Sequence, residues 1–180
     1  RFVDPMFNDT PNRIGFSLFY QYRGQGNSYY FYPFDQIRRG GSVQWGIRLK
    51  WPDDYFRACW ELEYIQNEYK GEESVLSDYV GNFRKSTGIS ISQSFSRNSL
   101  DRADFPTQGS NASLVSKFSG GILRGDEHFH KHVLSLDWYT PTFWKFVLTS
   151  SIKIGTIKML DVKNSNEWIP PYERFIMGGN

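Results

Sequence analysis

The sequence predicts an all-β chain that folds as an antiparallel up-and-down meander of about seven strands. Three observations predict this class. Apolar and polar residues alternate through segment after segment, as they do in strands with two unlike faces. Helical periodicity is nearly absent. Short turns alternate with longer polar connections, which is the layout of consecutive hairpins.

The first three predicted strands cover residues 14–22, 43–51 and 56–64. In the second strand, large apolar residues at odd positions oppose glutamine, glycine, arginine and lysine at even positions. In the third, an apolar series from Phe56 to Tyr64 opposes two glutamates, an arginine and a cysteine. A period of two in all three segments indicates strands that separate two environments.

The remaining four predicted strands cover residues 87–97, 112–118, 132–139 and 144–158. The first of these has the weakest pattern, because serine fills its polar side. The last has the sequence WKFVLTSSIKIGTIK, in which the even positions are mostly apolar and the odd positions carry two lysines. This alternation predicts one long strand with two different faces.

Two kinds of connection separate these strands. Short turns that contain proline are predicted at 51–54, 101–109 and 140–143. Longer polar connections are predicted at 23–41, 67–85 and 120–130. The connection at 67–85 has room for one short helix near 72–83. Short turns at one end and long loops at the other are typical of an outer-membrane barrel.

The two sides of the predicted strands differ in charge, so we expect them to face different media. Charge in a dry core is costly, and the charged side is therefore expected to line a wet lumen. The residues predicted to face the lumen are Arg48, Lys50, Arg57, Glu61, Glu63, Lys117, Lys131, Asp137, Lys145 and Lys153. The residues predicted to face lipid are Trp45, Ile47, Leu49, Trp60, Leu62, Leu134, Leu136, Phe146, Leu148 and Ile152.

Composition favours a membrane barrel and argues against some other classes. Aromatic residues make up 18% of the chain, and several lie beside the short turns, as in an interfacial girdle. A net charge of +2 gives no sign of nucleic-acid binding. The single cysteine, Cys59, excludes an internal disulfide. Alternation alone also fits a soluble barrel or sandwich, in which the apolar sides would pack together.

Five segments carry the most specific motifs of the sequence. The segment DRADFPTQGS (101–110), through Asp101, Arg102, Phe105, Pro106, Thr107 and Gly109, resembles a periplasmic turn of BamA-type outer-membrane protein assembly factors. The segment PPYERFIMGGN (170–180) resembles the start of the family's long lumen-folding loop, through Glu173, Arg174, Phe175, Gly178 and Gly179. Three further resembling segments follow the family's order: RFVDPMFNDTPNRIGFSLFY (1–20), RLKWPDDYFRACWELEY (48–64) and LDWYTPTFWKFVL (136–148).

The resemblance implies part of a sixteen-stranded transmembrane β-barrel in the bacterial outer membrane. We expect residues 1–180 to form a partial barrel domain, about strands five to eleven plus the start of the long loop, with the POTRA domains and remaining strands absent. The implied function is insertion and folding of outer-membrane β-barrel proteins, without enzymatic chemistry. The implied partners are outer-membrane lipids, nascent outer-membrane proteins and accessory assembly lipoproteins, and not nucleic acid.

Other functions remain open at this point. Within the same superfamily, a two-partner-secretion or TamA-like translocator has a similar barrel. A passive porin and a soluble ligand-binding β-barrel represent other classes. His128, His130 and His132 alternate as metal ligands sometimes do, but no acidic residue or cysteine shares their side of the strand. We therefore expect no catalytic residue, no cofactor and no metal site.

Overall fold

One antiparallel sheet of eight strands forms the structure, a computed structural model that describes residues 1–24, 34–81, 83–160 and 169–175. The strands follow one another in chain order, each paired with the next. They are β1 (Phe2–Asp4), β2 (Asn12–Arg23), β3 (Asp35–Arg48), β4 (Phe56–Lys70), β5 (Lys85–Asn98), β6 (Gly109–Ser119), β7 (Phe129–Pro141) and β8 (Val147–Met159). This confirms the predicted all-β antiparallel meander and corrects the strand number to eight.

Strand limits differ from the predicted ones where the alternation weakens. The additional strand, β1, pairs three residues with β2 and is too short to show a period. The strands β3 and β4 extend into the predicted long connections, where isolated residues such as Ile37 and Tyr69 stand among polar ones. Backbone pairing continues there without an apolar pattern, because a ladder needs only N–H and C=O groups.

Four of the residues predicted to face the lumen or lipid lie in turns instead. Leu49 and Lys50 follow the end of β3, and the Leu49 amide donates to Phe56 O at 2.9 Å, just outside the ladder. Lys145 and Phe146 precede β8 because the turn is closed by a backbone bond from Thr142 to Phe146 O at 2.9 Å. Trp144 within that turn has a φ of 57°, which a strand does not permit.

The register sorts the strand residues onto two faces. One face, the polar face, includes the directly paired Arg48 and Arg57. The other face, the apolar face, includes the paired Trp45 and Trp60, whose rings stack with centroids 5.0 Å apart. Large side chains of the apolar face have no cover within the described residues, and Leu18 is 81% exposed. A continuous exposed apolar surface of this kind requires a partner or lipid.

The two ends of the sheet carry different connections. Residues 5–11, 49–55, 99–108 and 142–146 connect strands at one end, which we call the short-turn end. Residues 71–84 and 120–128 connect strands at the opposite end. The first of these holds the helix α1 (Glu73–Val80), which confirms the short helix predicted there.

A small apolar cluster fixes α1 to the sheet. Phe34, Tyr69, Leu76 and Val80 are buried together, and the Phe34 and Tyr69 rings meet edge to face at 5.6 Å. Burial of a side chain such as that of Leu76 contributes about 2 kcal/mol.

None of the helices among the described residues has the length and apolar character to cross a bilayer.

Candidate functional site on the polar face

The segment 169–175, which we call the docking segment, lies against the polar face of the sheet. It contains the 3-10 turn Pro171–Glu173, in which the Glu173 amide donates to Pro170 O at 3.0 Å. Pro170 has a φ of −51° and a ψ of 135°, which proline's fixed ring favours. The local backbone thus aims the Glu173 carboxylate at the sheet.

Glu173 bridges two lysines on neighbouring strands. Lys117 of β6 and Lys131 of β7 are directly opposite in the ladder, where two like charges repel each other. One carboxylate oxygen of Glu173 lies 2.8 Å from Lys117 Nζ and the other lies 3.0 Å from Lys131 Nζ. Lys131 also donates to the backbone oxygen of Glu173 at 2.8 Å. The glutamate therefore neutralises a repulsive pair and ties two strands to the segment.

The ion pairs continue across the sheet as a line of alternating charge. Lys117 Nζ is 3.0 Å from Glu63 Oε2, and Arg38 is 3.7 Å from the other oxygen of Glu63. The Arg38 guanidinium lies over the Tyr172 ring, 4.7 Å from its centroid. The order of charges is Arg38, Glu63, Lys117, Glu173 and Lys131, and we call these five residues the clamp.

The environment of Glu173 favours its ionised form. Its side chain is 10% exposed, and burial by itself raises the pKa of the carboxyl. The charges and hydrogen bonds of Lys117 and Lys131 outweigh that effect and hold the pKa below its usual value. Glu173 is therefore ionised at neutral pH.

A second polar cluster holds Tyr172, the residue before Glu173. The Tyr172 hydroxyl donates to Glu127 Oε2 at 2.7 Å, and Ser86 Oγ donates to Glu127 Oε1 at 2.9 Å. Asn67 Nδ2 donates to the same oxygen at 2.9 Å and to the Tyr172 hydroxyl at 3.2 Å. Glu127 is only 2% exposed, so each of these bonds replaces a lost bond to water.

Burial shifts both titratable groups of this second cluster. It raises the pKa of the Glu127 carboxyl, although hydrogen bonds from Tyr172, Ser86 and Asn67 oppose it. Burial also raises the pKa of the Tyr172 hydroxyl, and the nearby Glu127 carboxylate adds to that rise. The hydroxyl consequently stays protonated and remains a donor.

Gly155 of β8 leaves room for the docking segment on the sheet. The Phe175 ring lies directly over Gly155 of β8, so closely that a Cβ at that position would overlap it. The same ring is 5.0 Å from Lys131 Nζ, in a cation–π arrangement. A side chain on β8 at this point would lift the segment away from the clamp.

The predicted turn motif at 101–109 forms a closed structure at the short-turn end. Asp101 accepts hydrogen bonds from the Thr107 amide at 2.9 Å, the Thr107 hydroxyl at 2.6 Å and the Gln108 amide at 3.2 Å. The Thr107 hydroxyl is the main reason that the pKa of Asp101 falls to about 2. Phe105 has a φ of 55° and is 90% exposed at the tip.

Among the other residues of the turn motif, Gly109 and Pro106 shape the backbone, whereas the Arg102 side chain is exposed. Gly109 has a φ of 108°, and a Cβ there would overlap Ser99 O. Arg102 is 3.9 Å from Asp101, with its side chain 70% exposed. Pro106 lies between Phe105 and the bonded Thr107 and fixes its own φ.

The register groups the predicted lumen and lipid residues on separate faces, apart from the four turn residues named above. The polar face carries Arg48, Arg57, Glu61, Glu63, Lys117, Lys131, Asp137 and Lys153. The apolar face carries Trp45, Ile47, Trp60, Leu62, Leu134, Leu136, Leu148 and Ile152. Which medium each face meets stays a prediction.

Only part of the predicted polar set takes part in the clamp. Of the predicted residues, Glu63, Lys117, Lys131 and Glu173 are brought together. Glu61 instead accepts from Gln44 at 2.9 Å, and Asp137 accepts from Ser151 at 2.6 Å. Arg174 donates to Ile169 O at 3.0 Å within the docking segment. Gly178 and Gly179 lie outside the described residues.

Sequence reasoning missed the second cluster and Arg38. Glu127 sits in a connection that reads as polar and solvated, in the stretch LRGDEHFH, and nothing marks its carboxylate as buried. Asn67 begins the connection predicted at 67–85, and Ser86 lies between that connection and the next predicted strand. The tyrosine beside the glutamate in PPYERF was the one available signal, since a buried tyrosine hydroxyl needs a partner. Within the described ranges, no group of three metal-ligating side chains comes together.

Comparisons with known proteins agree with this geometry. The model of the Omp85 superfamily domain matches residues 1–180. The outer membrane protein assembly factor BamA of Nitratidesulfovibrio vulgaris is 29% identical over 85 residues, which are 47% of this chain and 10% of that protein. The crystal structure of BamA from Haemophilus ducreyi lacking POTRA domains 1–3 matches 98% of this chain with a TM-score of 0.79 and 18% identity.

This chain covers only a small part of the length of either relative. The chain spans 10% of the curated relative and 35% of the solved chain. At 18% identity the solved structure establishes the fold, and the eight-stranded sheet corresponds to a section of that barrel protein. The family match covers every residue from the first to the last. The chain therefore belongs to the Omp85 superfamily.

Proposed function

We propose that this chain is a wall section of an outer-membrane assembly factor, which inserts and folds outer-membrane β-barrel proteins. The localisation predicted from the sequence is confirmed, because Omp85 homologues are bacterial outer-membrane proteins. The relative from N. vulgaris is named an outer membrane protein assembly factor, which supports the activity. The partners in this proposal are outer-membrane lipids, nascent outer-membrane proteins and accessory lipoproteins.

The observation that carries the proposal is the clamped docking segment. A passive pore needs a polar face that water and solutes can cross. Here the polar face binds a segment of its own chain through Glu173 and Tyr172, with side chains from four strands and one connection. Construction of this kind fits a barrel that holds a loop in a fixed place, and it favours an assembly factor over a porin.

In this mechanism the described residues position groups and do no covalent chemistry. The apolar face meets lipid through side chains such as Leu148 and Ile152, and the polar face lines the wet interior. The clamp fixes the base of the loop to β6 and β7. The described sheet serves in this mechanism as a rigid section of the barrel wall.

Depletion of the full-length protein in its native cell tests the proposal. We expect a broad fall of unrelated outer-membrane barrel proteins, measured by quantitative mass spectrometry of the outer membrane. Loss of one secreted protein, with the other barrels unchanged, would instead identify a dedicated translocator of the same superfamily. Unchanged barrels and a changed permeability to small solutes would identify a pore. The wild-type copy expressed from a plasmid is the control for recovery.

A further inference from the structure

A cleft of about 510 Å³ opens on the polar face at the short-turn end, far along the sheet from the clamp. One part of its wall is apolar and comes from β1 and the connection to β2. These apolar residues are Val3, Pro5, Met6 and Pro11. The opposite part carries Arg13, Arg48 and Arg57, and the lining is completed by Gly46, Ile47, Ala58 and Cys59. No carboxylate lines the cleft among the described residues.

Two of these arginines form a repulsive pair. Arg48 and Arg57 are directly opposite in the ladder between β3 and β4. Arg48 donates to the backbone oxygen of Asp54 at 2.8 Å, which neutralises no charge. Within the described ranges, Arg13, Arg48 and Arg57 have no salt bridge to a carboxylate. Three exposed guanidinium groups thus line one cleft, and none has a carboxylate within salt-bridge distance among the described residues.

On the same face of the sheet, another cross-strand pair of cations is neutralised by a carboxylate. Lys117 and Lys131 are also directly opposite, and there a glutamate of a peptide segment lies between them. That glutamate is flanked by aromatic residues, Tyr172 and Phe175, which pack beside the charges. The arginine cleft repeats this combination of a cross-strand cation pair and an adjacent apolar wall.

We propose that the arginine cleft binds an acidic peptide segment of a partner protein, with carboxylates paired to Arg13, Arg48 and Arg57 and apolar side chains against Met6 and Pro11. Arginine suits this role because its planar fork binds a carboxylate through two parallel hydrogen bonds. The docking segment itself is engaged at the clamp and is not the occupant. A lipid is disfavoured because the arginines of the cleft lie on the face opposite the exposed apolar surface.

A binding measurement on the full-length protein in nanodiscs tests the charge requirement. The probe is a fluorescent twelve-residue peptide of alternating glutamate and phenylalanine, and its partner carries glutamine in place of glutamate. We expect the double variant Arg48→Gln, Arg57→Gln to weaken glutamate-peptide binding by about tenfold or more. Lys153→Gln, which removes a charge from the same face outside the cleft, should leave it unchanged. The proposal would be overturned if the wild-type protein bound the glutamate and glutamine peptides equally well. It would also be overturned if the double variant bound the glutamate peptide as tightly as the wild-type protein does.

Cys59 lines the cleft and gives a second test in native membranes. A benzophenone maleimide is attached in a full-length protein whose cysteine at 59 is its only one, and adducts formed on illumination are sequenced by mass spectrometry. We expect acidic segments of a second protein. Adducts confined to lipid, to neutral or basic peptides, or to the same chain contradict the proposal. Both tests read binding alone, so they stand whether or not depletion reveals an assembly activity.

Discussion

Replacement of Glu173 by glutamine tests the clamp most directly. The substitution keeps the shape of the side chain and removes the charge that lies between Lys117 and Lys131. Removing one partner of a buried ion pair costs about 3–5 kcal/mol. Lys117 keeps Glu63 at 3.0 Å, and the side chain of Lys131 is 21% exposed, so part of the cost is recovered. We therefore expect the docking segment to lose about 2–3 kcal/mol of binding to the sheet.

Hydrogen exchange measures this loss in the full-length protein. The amides of Glu173 and Arg174 are bonded within the docking segment and exchange when it opens. A loss of about 2–3 kcal/mol corresponds to about 30- to 150-fold faster exchange in peptides that cover 169–175. Glu72→Gln, at an exposed glutamate before α1, is the matched control and should change nothing there. Exchange within threefold of wild type in the Glu173 variant would refute the clamp as the element that holds the segment.

Three further predictions concern the sheet and its turns. Gly155→Ala should displace the aromatic ring packed over it and speed exchange of the docking segment, whereas Gly46→Ala, whose nearest neighbour is 3.6 Å from the added Cβ, should not. Asp101 has a depressed pKa of about 2, so its stabilisation of the turn is complete above its ordinary pKa of about 4 and is lost as pH falls towards 2. Limited proteolysis of the 99–108 turn should show this loss in wild type and no such pH step with asparagine at 101; a step that persists in the variant would exclude Asp101 as its source. In a cysteine-labelling experiment, a water-soluble maleimide should react with Lys153→Cys and not with Ile152→Cys, and the reverse pattern would invert the assignment of the two faces.

The fold class and the two faces were predictable because the period of two is a local property of the chain. Strands such as β7 show it over their whole length, and a register that pairs Leu136 with Ile152 follows from matching apolar sides. The outer parts of β3 and β4 were not predictable in this way. There the ladder continues without alternation, and Tyr69 packs in the apolar cluster beneath α1 where the sequence suggested a polar loop.

The clamp was only half predictable for a different reason. Glu63, Lys117 and Lys131 share a face by periodicity, and the motif around Glu173 pointed to the polar side through a family resemblance. Which carboxylate meets which lysine depends on the path of the chain between β8 and the docking segment, and no local pattern contains that path. Glu127 shows the same limit, since one of its hydrogen-bond donors, Tyr172, lies 45 residues later.

The bridge at Glu173 also has a consequence for the order of events during synthesis and folding. Glu173 lies 56 residues after Lys117 and 42 after Lys131, so the two cations are made long before the anion that separates them. Contacts over such separations close late, because chain entropy opposes them. Until then Glu63 is the carboxylate partner of Lys117, and Lys131 has no carboxylate partner among the described residues. When the docking segment binds, Glu173 lies between Lys117 and Lys131 and reduces the repulsion between them. The last part of the chain therefore supplies the counterion for two strands that were made before it.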